Sequence, residues 1–154
     1  MEFDKQKFEE QKIKTENFYK TISKINCPYF DREVIFNSDG FHHLKYSARR
    51  ERDKKEQILK FNLFPLAVKI IKRAGTLQEY RTGLIAVGKK SQKDGLAPAK
   101  KVEYWGFVAI CGENKIKIRV ILRRIGDGNI IFWSVMPFGN ISNQKLYIFG
   151  IEDD

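Results

Sequence analysis

The chain has 154 residues, 42% of them hydrophobic and 31% charged, with 29 Lys and Arg against 19 Asp and Glu, for a net charge of +10 at pH 7. That length fits one domain with one core, and the hydrophobic share excludes a chain disordered throughout. A field of this sign attracts polyanions: nucleic acid, an anionic membrane or an acidic protein.

No run approaches the ~20 apolar residues of a membrane span. The first ten residues are charged and lack the apolar stretch of a secretory leader. Cys27 and Cys111 stand far apart, without CxxC spacing, which argues against a zinc site or a disulfide framework. A soluble, cytoplasmic protein with reduced thiols, no membrane contact and no cofactor is expected.

In chain order, residues 2–25 carry Phe3, Phe8, Ile13, Phe18, Ile22 and Ile25 at spacings that suit one face of a helix, ended by Pro28. Residues 1–28 are therefore read as a helical extension that packs on the domain or docks on a partner, and 29–154 as the domain itself. Residues 33–36 read as a strand. Asn37-Ser38-Asp39-Gly40 supplies turn and cap residues, with Ser38 or Asp39 as the N-cap. A helix is expected over 41–62, its core face formed by Phe41, Leu44, Ala48, Ile58 and Leu59. The charged run 49–56 inside it reads as a solvated turn or a break.

Residues 63–71 read as a further helix, with Pro65 in its first turn and Gly75 as a stop. A strand at 84–87 and a basic loop at 88–101 follow. From residue 102 the pattern is β, with strands at 102–111, 115–124, 129–136 and 145–151. Gly112-Glu113-Asn114 and Gly126-Asp127-Gly128-Asn129 read as hairpin turns. Helices followed by an antiparallel meander predict an α+β fold: N-terminal helices packed on one face of a four-stranded antiparallel sheet.

The two histidines of the chain are adjacent, at the start of a basic helix. At about 100° per residue, His42, Lys45, Arg49 and Arg52 form one stripe, and His43, Tyr46 and Arg50 another. A histidine titrates near neutral pH and serves as general acid or base. Neighbouring cations lower its pKa and favour the neutral, base-competent form.

In the strand over 115–124, Ile118, Val120 and Leu122 face one side, while Lys117, Arg119, Ile121 and Arg123 face the other. The first side should meet the helices. Arg119 and Arg123 would then lie on an open face, placed to grip a phosphate bidentately. In the next strand Ile131, Trp133 and Val135 share one side, and Phe132, Ser134 and Met136 the other. If Trp133 is core, Ser134 joins the arginines.

A GxSxG elbow, a P-loop, GxGxxG, HExxH and a clustered carboxylate pair are all missing. The residues that remain suit metal-independent RNA cleavage. A base deprotonates the 2′-OH, cations stabilise charge on the phosphate, and an acid protonates the leaving 5′-oxygen. Tyr46 or Phe132 could stack an unpaired base.

Several stretches carry a resemblance in this order: Gly40-Phe41-His42-His43-Leu44; Gln57 and Lys60-Phe61 before Leu63-Phe64-Pro65; Tyr104-Trp105-Gly106-Phe107; the basic strand over 117–124; and Phe132-Trp133-Ser134-Val135-Met136-Pro137. Over residues 33–137 they resemble the barnase/EndoU/colicin/RelE-like nuclease superfamily, in its phage- and mobile-element-borne branches. The resemblance implies a metal-independent endoribonuclease, often a toxin, that forms a 2′,3′-cyclic phosphate. It maps the catalytic His onto His43, the basic strand residues onto Arg119 and Arg123, and the strand hydroxyl onto Ser134. His42, Lys45, Tyr46, Arg49, Arg50, Arg52 and Phe132 would contact substrate. Two other readings share these residues: a non-catalytic RNA- or DNA-binding module, and an interaction domain for an acidic antitoxin or immunity protein.

Overall fold

The computed structural model describes residues 4–90, 92–113, 115–138 and 151–154. Its elements are α1 (Lys5–Thr21), β1 (Lys24–Cys27), β2 (Arg32–Ile35), α2 (Ser38–Lys45), α3 (Lys54–Arg73), β3 (Glu79–Ala86), β4 (Ala99–Cys111), β5 (Ile116–Ile125) and β6 (Ile131–Pro137), with a 3₁₀ turn at Ile151–Asp153. The strands form one six-stranded sheet in the order β1-β2-β6-β5-β4-β3. All neighbours are antiparallel except β2 and β6, which are parallel and touch through the single pair Ile35–Ile131.

The α+β class holds, but the sheet is six-stranded and mixed rather than four-stranded and antiparallel. Two features of the chain hid the difference. Ile22 and Ile25 continue the helical spacing of α1, yet the chain turns extended at Ile22. It then forms β1, four residues long and too short for a readable alternation, which pairs with β2, the strand expected at 33–36. β3 overlaps the strand expected at 84–87 but begins at Glu79, and its exposure along most of its length leaves no apolar alternation to mark that start. The predicted strand over 145–151 lies, apart from Ile151, outside the described residues; Ile151 opens the 3₁₀ turn.

The single helix expected over 41–62 is two. α2 ends at Lys45, and the charged run that follows forms a turn, closed by a Tyr46–Glu51 bridge. Asp53 then caps α3 by accepting from the Glu56 amide at 2.8 Å. α3 runs through Pro65, which therefore sits in its interior and not in a first turn. The buried positions Gln57, Lys60, Phe61, Phe64, Ala67, Val68 and Ile71 recur at helical spacing on one face, whereas Leu59 is exposed. That face packs on the sheet together with Val120, Leu122, Phe132 and Val135. Phe8 and Tyr19 of α1 belong to the same core. Among the described residues, no helix is long and apolar enough to cross a membrane.

One irregularity re-aims β6. Ile121 pairs with Ser134, but Leu122 pairs with Phe132, so Trp133 is an extra residue on β6. The bulge turns Phe132 to the helix side, where it is fully buried and stacks on Phe36 at 5.4 Å. Phe132 is thus a core residue and not a base-stacking surface residue. The opposite sheet face is also covered. Ile151 is fully buried there, in space left by Gly106, where a Cβ would lie 3.2 Å from Ile151 Cγ2.

Candidate functional site

α2 is seated directly on β6. Asn37, rather than Ser38 or Asp39, is its N-cap, accepting from the Gly40 amide at 3.1 Å. Gly40 lies so close to the sheet that a Cβ would overlap the Phe132 carbonyl oxygen. Phe41 and Leu44 enter the core, which sets His43 over the strand. Its imidazole stacks on the Trp133 indole, with centroids 3.9 Å apart and planes 16° from parallel. His42 points outward and stacks on Tyr46.

The Arg123 guanidinium lies 4.1 Å from the same indole centroid. Two planar groups this close to one centroid collide on a shared face, so Trp133 is sandwiched between them. Arg123 is 8% exposed, and its buried Nε has no hydrogen-bond partner among the described residues.

Among the described residues, β2 pairs with β6 only at Ile131, which leaves the rest of that edge unpaired. Lys60 of α3 fills this gap. Its Nζ donates to Ser134 Oγ at 2.9 Å, to the Val135 carbonyl at 3.1 Å, and to the Asp154 carboxylate at 3.2 and 3.3 Å. Arg52 sits beside it. Its Nε donates to the His43 carbonyl at 3.0 Å, its Nη1 to Glu56 at 2.8 Å, and its Nη2 lies 3.5 Å from Asp154. Gln57 in turn fixes the Arg52 carbonyl at 2.7 Å.

The Arg52 Nη2 to His43 Nε2 distance is 3.1 Å. A guanidinium only donates, so Nε2 accepts and the proton of the neutral ring is on Nδ1. Asp154 Oδ2 is 3.6 Å from the same Nε2. Burial lowers the His43 pKa; the Asp154 carboxylate opposes this, and Arg52 and Lys60 reinforce it. Burial also lowers the Lys60 pKa, against the attraction of Asp154. For Asp154, burial alone would raise the value. The charges of Lys60 and Arg52 and the Ser134 hydroxyl outweigh it and hold the carboxyl well below the usual range. The nest therefore holds two cations, two carboxylates (Glu56 and Asp154) and a neutral imidazole. Among the described residues, no three of His, Cys, Asp and Glu gather closely enough to hold a metal ion.

Of the residues picked from sequence, His43, Arg52 and Ser134 come together, and Arg123 joins them through Trp133. Arg119 is four residues from Arg123 on β5, about 13 Å along an extended strand. Its Nε lies 2.9 Å from Glu79. Neither arginine lies on an open face, since Arg119 is 4% exposed and Arg123 8%. Ser134 pairs with Ile121 and so falls on the arginines' side of β5, but it is fully buried against Lys60. Arg49 and Arg50 are exposed in the turn after α2, and His42 and Lys45 line a groove of about 700 Å³ beside α1.

Lys60, Asp154 and the place of Trp133 outside the core escaped the sequence reading. Lys60 had a signal: a charge on the apolar face of α3, one residue before Phe61. Asp154 had none. No protein-family model, curated protein or solved structure matches the chain.

Proposed function

We propose that the protein is a metal-independent endoribonuclease with its site around His43. The observation that carries this reading is a neutral imidazole held in one nest with Arg52, Lys60 and the Ser134 hydroxyl. His43 would take the 2′-OH proton. Lys60 and Arg52 would stabilise charge on the phosphate oxygens, Ser134 would donate to one of them, and Arg123 would hold a neighbouring phosphate. The product would be a 2′,3′-cyclic phosphate, in keeping with the resemblance to toxin-type nucleases. The net charge of +10 would concentrate RNA. The hairpin of β3 and β4 presents exposed Lys89, Lys90, Lys93, Lys100 and Lys101 to the same polyanion.

The test is incubation of total RNA with the protein in excess EDTA, beside His43→Gln and His42→Gln. We expect cyclic-phosphate ends, with a loss of about 10²–10⁴-fold for His43→Gln and little change for His42→Gln. Cleavage abolished by EDTA, or retained in full by both variants, defeats the reading.

The burial of Ser134 and Lys60, 0% and 3% exposed, favours a second reading. In it the nest is structural and the exposed lysines make a non-catalytic RNA-binding module. Binding would then weaken steeply with salt and no condition would give cleavage. Replacing Lys89, Lys90 and Lys93 by Gln would lower the salt slope by about 0.7 for each single-strand phosphate that is no longer neutralised.

A further inference from the structure

We infer that Arg52, Lys60 and Ser134, beside His43, form a binding site for a phosphate-class anion, and that the chain's own Asp154 carboxylate occupies it in this structure. The inference deepens the ribonuclease reading, because it names where a scissile phosphodiester would sit.

The donors are held independently of Asp154. Arg52 is fixed by the His43 carbonyl and Glu56, and Lys60 by the Val135 carbonyl and Ser134. Asp154 is the guest, brought by the 3₁₀ turn that packs on the other side of the sheet. Without it Lys60 has no ion-pair partner among the described residues, and Arg52 keeps only Glu56. The Lys60 side chain is 4% exposed and that of Arg52 5%. A buried ammonium with no counter-charge is strongly unfavourable, so the vacated nest demands an anion.

A carboxylate also underfills the nest. It meets Lys60 at 3.2 Å and Arg52 at 3.5 Å. Charge-assisted hydrogen bonds between such groups usually measure about 2.7–2.9 Å. A tetrahedral phosphate is bulkier and offers more oxygens to three donors arriving from the turn before α3, from α3 and from β6. The Asp154 side chain is 12% exposed, so the nest meets solvent at the guest's position.

The test uses the full chain with inorganic phosphate, against chloride at equal ionic strength, and reads affinity by calorimetry and the thermal midpoint. Asp154→Ala is expected to bind phosphate at least about tenfold tighter than the wild type. Its midpoint should climb with phosphate concentration. Asp154→Ala combined with Lys60→Met should lose that gain. A 2′-deoxy dinucleotide, which cannot be cleaved by 2′-OH attack, ranks a phosphodiester against free phosphate as the natural ligand.

Equal phosphate affinity in the wild type and Asp154→Ala overturns the inference. So does a variant that stays unfolded at every phosphate concentration, since phosphate would then not replace the carboxylate. RNA cleavage is read separately. A gain in binding without cleavage by the wild type leaves the anion site standing and removes the ribonuclease reading. Cleavage by the wild type without a gain in binding does the reverse.

Discussion

The imidazole of His43 lies flat on the indole of Trp133, with centroids 3.9 Å apart. The contact joins two irregularities of the chain. Gly40 lets α2 approach β6 closely, and the bulge at Trp133 turns that side chain out of the core. It also couples the ionisation of His43 to a fluorophore and, through the other face of the indole, to Arg123.

The first prediction concerns pH. His43 is held below its ordinary 6.5, so the native state favours the neutral ring. Its contribution to stability is complete above that ordinary value and is lost as pH falls through the folded value. Asp154 acts with the same sign further down, below the ordinary carboxylate value of 3.8. The urea midpoint should therefore fall between about pH 8 and about pH 5, with a change in tryptophan emission, and His43→Gln should flatten both. An unaltered pH profile in that variant would show that His43 does not titrate against Trp133 and the nest.

Lys60→Met should destabilise the fold by about 3 kcal/mol, because it leaves Asp154 buried with less counter-charge. Adding Asp154→Asn should restore part of the loss, as expected for two groups in direct contact. Additive losses in a double-mutant cycle by chemical denaturation would argue against the 3.2 Å pair as an energetic unit.

Arg119 and Arg123 should respond differently to the same change. Arg119→Met breaks the 2.9 Å pair with Glu79 and should lower stability by about 1–3 kcal/mol. Arg123→Met breaks no ion pair among the described residues, and its buried Nε has no hydrogen bond to give up. Its stability should change by less than about 1 kcal/mol, with the missing stacking on Trp133 set against relief of a buried unpaired donor. RNA cleavage should drop in Arg123→Met and hold in Arg119→Met. The opposite ranking would place phosphate binding at Arg119.

Gly40→Ala should cost about 1–3 kcal/mol, since the added methyl meets the rigid Phe132 carbonyl. If α2 shifts to relieve the overlap, His43 slides on Trp133 and tryptophan emission changes with it. Wild-type stability and emission in this variant would refute the close approach of helix and strand.

Alternation alone located β5 and β6 and sorted Val120 and Leu122 from Arg119 and Arg123, because a strand packed on a core shows its period in its side chains. Composition and order of elements were enough for the α+β class. The adjacent histidines marked α2, and turn chemistry marked the stretch 37–40 in which it starts, although the cap is Asn37 and the helix begins three residues before the expected 41. Alternation failed at Trp133, where one extra residue reversed the facing of Phe132; a bulge depends on the partner strand and leaves no trace in its own local pattern. β1 was hidden in the same way, a strand stabilised through its pairing with β2 rather than by patterning.

The residues themselves named His43, Arg52 and Ser134 as chemically apt, but only the folded chain decided which meet. Lys60 arrives 74 positions before Ser134 and Asp154 comes 94 positions after Lys60. A nest closed over such separations rests on the edge of β6 that β2 leaves unpaired and on the path of the turn at Ile151–Asp153, and both are properties of packing, not of any local run of sequence.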